Sequence, residues 1–268
     1  RRHPTVAIGC LVLFVMTLAA LAAPLIAPDP LRLNPINRLK PPNETFWFGA
    51  DFLGRDVYAR TIYGGRISLA VGAAVAIVST GLGLVIGLVA GYVRWVDAIA
   101  MRIMDGLMAI PGVLLAIALI SLAGASLVNV IIAITIPEIP RVVRLVRSVV
   151  LAIREQPYVE AAVSVGSPLP KILFKHILPN TVAPLIVQAT YVCASAVVVE
   201  AILSFLGAGT PPEIPSWGNI MAEGRTYFQI APWIIFFPGL FLAVTVLAVN
   251  IVGDGLRDSL DPRIARRM

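Results

Sequence analysis

The sequence predicts an all-α membrane protein with six transmembrane helices. Two observations predict it. The chain is 58% hydrophobic and only 13% charged, with a mean hydropathy of +0.89, whereas a soluble domain is about a quarter charged. Five stretches, 3–28, 67–93, 106–137, 176–199 and 226–253, contain no Asp, Glu, Lys or Arg. Each can supply the roughly 20 apolar residues that a bilayer crossing needs.

The first run is expected to be a span and not a leader. It is too long for the apolar region of a signal peptide, and Pro24–Asp29 makes a poor cleavage site. The loop that follows, 29–66, carries six basic residues together with Asp29, Glu44, Asp51 and Asp56, and its first half is rich in proline. From Asp56 to Ile67, the residues Val57, Tyr58, Thr61, Ile62 and Tyr63 fit one helical face, which predicts an amphipathic helix at the membrane surface. An Arg55–Asp56 pair there would be exposed and contribute little.

The second span holds Gly81, Gly83, Gly87 and Gly91, the last three spaced by four on one face. Small residues so placed allow a close helix approach. That face serves either packing inside the chain or a helix that slides or lines a pathway.

The third run has 32 residues and would make a helix about 48 Å long against a core of about 30 Å. It contains Gly124-Ala125-Ser126 and Asn129 near its middle. It is therefore divided into spans at 103–123 and 127–147 joined by a tight turn, the second running past Pro137 and Pro140. With six spans and both termini cytoplasmic, 14 of the 21 Lys and Arg residues lie inside, while five spans with the N-terminus outside put 16 inside. Charge bias alone thus slightly favours five, and helix length favours six.

The longest polar interval after the first loop reads "RVVRLVRSVVLAIREQPYVEAAVSVGSPLPKILFKHILPN". Arg141, Arg144 and Arg147 give the emerging helix one basic face, which serves positive-inside anchoring. Pro157 breaks that run. Val159–Val165 is a short helix with small alanines, Gly166 ends it, and Ser167 is placed to cap the next helix with Pro168 in its first turn. Lys171 to Leu178 follows, and Pro179 opens the fifth span. The expected product is a short crosswise helix facing the cytosol, whose alanines let a partner surface approach.

Several chemistries find no residues. There is no G-x-x-x-x-G-K-[ST] loop, no G-x-S-x-G elbow and no His/Cys/carboxylate cluster with metal-ligand spacing. The chain is expected not to be an enzyme and to hold no cofactor or metal of its own. Cys10 and Cys193 read as small hydrophobes, and the net charge of +6 reads as cytoplasmic loops and not as nucleic-acid binding. Asp105, Glu138 and Asp254 fall near span ends on the cytoplasmic side. Glu200 lies deepest, as either an interfacial carboxylate or a lining residue of a pathway.

"EAAVSVG" followed eleven residues later by "ILP" resembles the EAA loop of binding-protein-dependent ABC importer permeases. Four further blocks, "FGADFLGRDVYARTIYGGRISLAVG", "MRIMDGLMAIPGVLLAIAL", "LSFLGAGTPPEIPSWGNIMAEGR" and "FFPGLFLAVTVLAVNIVGDGLRDSLDPR", are similar to the C-type permease of dipeptide and oligopeptide importers. The resemblance covers nearly the whole chain. It departs at "IPEIPRVVRLVR", where the family usually has an aromatic residue before a single proline and Glu138 here sits between two prolines.

The resemblance implies the type I ABC importer permease fold, with an N-terminal part at 1–66 and a five-helix core at 67–268 holding the coupling loop at about 141–179. It implies that Glu160, Ala161, Ala162, Gly166, Ile177, Leu178 and Pro179 form the loop that seats on an ATPase. Glu200, Asp105 and Asn250 are the candidate pathway or gating residues. It also implies a bacterial inner-membrane location, a second related permease, two ATP-binding subunits carrying ATP and magnesium, and an extracytoplasmic peptide-binding protein over loops 29–66 and 207–232. A nickel or glutathione importer shares the blocks. A secondary carrier and a receptor or scaffold without transport are the readings from other classes.

Overall fold

The computed structural model describes residues 4–260, and these are helical apart from turns, loops and one isolated antiparallel bridge between Ala50 and Asp56. Arg1, Arg2, His3 and the stretch from Asp261 lie outside the described residues, so the placement of both termini in the cytoplasm does too. The principal helices are α1 (Pro4–Leu21), α2 (Val57–Tyr92), α3 (Arg94–Met108), α4 (Gly112–Ala123), α5 (Leu127–Arg154), α6 (Pro157–Ser164), α7 (Leu169–Phe205), α8 (Trp217–Gly224) and α9 (Trp233–Leu260).

Four of these, α1, α2, α7 and α9, are long and apolar enough to cross a membrane, and α3 with α4 makes a fifth if the bent pair is one span. Helix α5 has 28 residues, about 42 Å, but Glu138, Arg141, Arg144 and Arg147 occupy its middle and second half. A sixth crossing therefore requires α5 to carry Glu138 into the bilayer.

The expected single span at 103–123 is broken. Helix α3 ends at Met108 and α4 starts at Gly112, with the two bent by 88°. Pro111 is the reason: it has no N–H, and its ring disfavours helical geometry at Ile110. The expected turn at Gly124–Ser126 is present. Gly124 has φ +85, and Ser126 caps α5 by accepting the Asn129 N–H. Helix α5 passes Pro137 and Pro140 without a break and continues to Arg154.

At the fifth span, Pro179 sits in the first turn of the regular α-helical stretch Leu178–Phe205, but the helix as a whole starts earlier. Helix α7 begins at Leu169 and carries one wide π turn over Leu173–Ile177. A proline at 179 cannot donate to the Lys175 carbonyl, and the wide turn just ahead of it accommodates that lost bond.

The surface helix expected over Asp56–Ile67 does not exist as a separate element. Those residues are the first turns of α2, and Val57, Arg60, Thr61, Ile62, Gly64 and Gly65 are buried. Asp56 caps α2 by accepting the Tyr58 N–H, and Arg55 turns away from it to Asp51.

Helix α2 is the centre of the bundle, packed on α5, α7 and α1. Its glycine face meets α5. A Cβ built on Gly83, Gly87 or Gly91 would stand 2.5, 2.7 or 2.6 Å from the Cβ of Val142, Val146 or Val150. Glycines and valines are both spaced by four, so one ridge seats in one groove along two turns of helix. Packing inside the chain is what this face does. Helices α1 and α9 close the other side, and the outward faces of α1, including Leu11, Phe14 and Leu18, are exposed as a lipid-facing surface would be.

Candidate functional site

The end of the bundle that carries the EAA loop is built by ion pairs before it is built by the loop. Arg147 grips Asp97 with two nitrogens, Nη2 to Oδ2 at 2.6 Å, and Arg144 Nη2 meets Asp105 at 2.6 Å. The basic face of α5 thus clamps α3, a role beyond anchoring. Asp105, a candidate pathway residue, is exposed and held in this clamp.

Helix α6 follows at Pro157, where a proline fits the first turn. It buries only Val159 and Ala162, spaced by three on one face. Glu160, Ala161, Val163 and Val165 face outward, Val165 at 81% exposure. Gly166 terminates the helix with φ +74. Its N–H donates to the Val163 carbonyl at 2.9 Å, and the Ser167 N–H donates to the Ala162 carbonyl at 3.0 Å. This pair of bonds is a Schellman motif, and the positive φ explains a glycine there. Ser167 caps nothing with its side chain; Pro168 holds the cap position of α7.

Ile177 is fully buried, Leu178 half-buried and Pro179 exposed. Ile177 joins Val159 and Ile172 in the main core. Tyr158 and Asn180 bridge α6 to α7, Asn180 Nδ2 donating to the Tyr158 hydroxyl at 3.3 Å. Of the seven loop residues, Ala162 and Ile177 are buried beside Val159 and Ile172, Leu178 is half-buried, and Glu160, Ala161, Gly166 and Pro179 remain on the surface.

Glu200 faces no cleft here. It is 0% exposed, accepting from Ser204 at 2.8 Å and Ser68 at 3.3 Å. Ser68 in turn accepts the Trp217 N–H, and the Trp217 indole donates to the Thr61 carbonyl at 2.9 Å. Asn250 is exposed and borders a cleft with Tyr191 and Ser195. Ser195 also borders a second cleft that contains Glu138.

One grouping went unseen in the sequence. On the outer side, Asp51 accepts from Arg55 Nε at 2.6 Å and Arg60 Nη1 at 2.8 Å, and Glu223 of α8 pairs with both arginines. Asp51 also accepts the Leu53 and Arg55 N–H groups. Nearby, burial raises the Asp56 carboxyl above its usual range, against the pull of the Tyr58 and Ala59 N–H groups. Glu223 lies 163 residues from Arg60, and no local pattern joins them; two arginines and an aspartate in an outer loop were the only available signal. Glu138, expected near a span end, stands mid-helix in α5. Its place between two prolines was visible.

Residues 83–266 match the model of the binding-protein-dependent transport system inner membrane components. The chain belongs to that family. A probable peptide ABC transporter permease, y4tQ, of Sinorhizobium fredii is 58% identical over 267 residues, covering 100% of this chain and 92% of the relative. The dipeptide transport system permease DppC of Alkalihalophilus pseudofirmus is 41% identical, with 98% and 88% covered. The glutathione transport system permease GsiD of Pectobacterium atrosepticum is 42% identical, with 98% and 88% covered. Among solved structures, an inward-facing MetNI methionine ABC transporter chain superposes with a TM-score of 0.56 at 22% identity, covering 75% of this chain and 96% of that one. That likeness supports the type I importer fold. As a family member the chain is a multi-pass inner-membrane component of binding-protein-dependent transport, which sets it apart from the secondary carriers.

Proposed function

We propose that the chain is one permease of an ATP-driven importer of dipeptides or short oligopeptides. The carrying observation is near-full-length identity to relatives named as peptide permeases, 58% to y4tQ and 41% to DppC. The exposed side of α6 supports a coupling role. Its Ala161, Val163 and Val165 have no cover within the chain, and Glu160 and Gly166 flank them. Two ATP-binding subunits, with ATP and magnesium, would seat there, one under this chain and one under a second homologous permease. A binding protein would dock on the outer loops. Both termini would then be cytoplasmic, and α5 would be the sixth crossing. ATP binding favours one arrangement of the pair over the other, which is a population shift by differential affinity. Among the candidate pathway residues, Asn250 borders a cleft, Asp105 serves the α3–α5 clamp, and Glu200 serves the α2–α7–α8 core.

The test is ATP hydrolysis by the complex reconstituted in lipid with its ATPases and binding protein. Dipeptides are expected to stimulate it, and Glu160→Lys to abolish that stimulation while the subunit still inserts. The glutathione permease relative makes glutathione, itself a short peptide, the second cargo to try. Stimulation by glutathione alone would keep the machine and change the cargo.

A further inference from the structure

The cleft between the α3–α4 bend, α5 and α7 holds about 310 Å³, at the small end of ligand-sized pockets. It is bordered by Met108, Pro111 and Gly112 at the bend, Glu138 and Arg141 on α5, and Ser195 on α7. Glu138 is 6% exposed. One carboxylate oxygen, Oε1, accepts from Ser195 Oγ at 3.3 Å. The other, Oε2, is buried without a hydrogen-bond partner; Arg141 Nη1 stands 3.5 Å from it without bonding geometry.

Eleven residues separate Glu138 from the start of α5 at Leu127, about 16 Å along the axis and near the centre of a bilayer core of about 30 Å. A carboxylate there is costly and calls for a partner. Arg141, 47% exposed at its side chain, forms an ion pair with Oε2 at 3.5 Å but donates it no hydrogen bond. Ser195 also borders the neighbouring cleft of Asn250, so Glu138, Ser195 and Asn250 border two adjoining clefts on α5, α7 and α9.

We propose that Glu138 is a substrate subsite inside the membrane, its free Oε2 taking the terminal ammonium of a short peptide as the peptide passes. The subsite rests on the peptide-import reading above. A primary ammonium fits because it brings three donors to an acceptor that lacks one, and a charge-assisted bond of this kind is stronger than a neutral one. Ser195 holds the carboxylate by its other oxygen, leaving Oε2 as the acceptor beside the cleft that still lacks a hydrogen bond.

The assembled complex, with ATPases and binding protein in proteoliposomes, tests it in two ways. First, Met108→Cys, at the rim of the cleft, in a Cys10→Ala, Cys193→Ala background reports occupancy through its rate of maleimide labelling. Millimolar Ala-Ala is expected to slow labelling, N-acetyl-Ala-Ala to leave it unchanged, and Glu138→Gln to remove the protection. Equal protection by both compounds, or protection that survives Glu138→Gln, would overturn the subsite. Second, Ala-Ala uptake is expected to fall about tenfold or more in Glu138→Gln, the scale of a lost charged hydrogen bond, and to recover in part in Glu138→Asp. Co-purification of the ATP-binding subunit with both variants checks folding. Uptake by Glu138→Gln equal to wild type would overturn the subsite and leave the peptide importer standing. A wild-type complex that imports no dipeptide would overturn the peptide reading itself.

Discussion

The two ends of the molecule treat their polar residues in opposite ways. The outer cap pairs its charges internally: Asp51, Arg55, Arg60 and Glu223 pair among themselves across two segments distant in sequence, with Asp51 and Arg60 fully buried, although Arg60 Nε has no hydrogen-bond partner among the described residues. The cytoplasmic loop leaves itself open. Helix α6 buries Val159 and Ala162 and turns Glu160, Ala161, Val163 and Val165 outward. A surface that is complete within the chain serves to hold shape, and a surface left apolar and uncovered serves to meet another chain. The difference predicts that lesions in the cap act on stability and lesions in the loop act on transport.

The strongest way to break that comparison is Arg60→Ala. It leaves Asp51 and Glu223 to share Arg55 at a buried site, and removing one partner of a buried pair costs about 3–5 kcal/mol. The expected result is loss of folded protein in detergent, read as a collapsed melting midpoint. A normal midpoint would mean that water enters the cap and the cluster is not a structural closure.

Gly166→Pro comes next and acts on the other side. Proline fixes φ near −65° where the chain needs +74, and it removes the N–H that donates to the Val163 carbonyl. Peptide uptake is expected to fall to background while membrane insertion, read by fractionation, is retained. Loss of insertion would show that the loop is needed for folding, and the contrast with the cap would fail.

A smaller effect is expected at the α2–α5 seam, which belongs to neither end. Gly87→Ala places a methyl group 2.7 Å from the Val146 Cβ, and overpacking of this kind costs about 1–3 kcal/mol. Val146→Ala combined with it is expected to recover part of the midpoint, because the two changes share one contact.

These regions differ as much in how they can be read from sequence. The long apolar runs announce α1, α2, α7 and α9, because a bilayer imposes a length and a composition that few other structures need. Gly166 announces its turn because few side chains tolerate its φ. The glycine stripe of α2 is visible, but its partner is not: Val142, Val146 and Val150 look like any apolar helix until the two are superposed. The α3–α4 bend is hidden in an uninterrupted apolar run whose length suggested a second crossing and whose Pro111 gave the only hint of where it breaks. The outer cap is hidden most fully. Arg60 sits in a pattern that reads as a surface helix, and its burial follows from Glu223, contributed by α8 far along the chain. Periodicity reports neighbours on one helix and cannot report a counter-charge delivered by another.

The smallest expected effect, Gly166→Ala, sharpens the meaning of the open end. No atom lies within 4 Å of a Cβ built on Gly166, so within the chain the substitution is penalised only by the left-handed backbone, about 1 kcal/mol. Gly166→Asn is expected to cost less, since asparagine enters that region more readily. If backbone geometry is the whole requirement, uptake should fall a few-fold in Gly166→Ala and less in Gly166→Asn. Equal and complete loss in both would place the requirement outside the chain. An ATPase surface would then press so closely on the Gly166 α-carbon that no side chain fits, and the glycine would mark the centre of the contact and not merely the end of a helix.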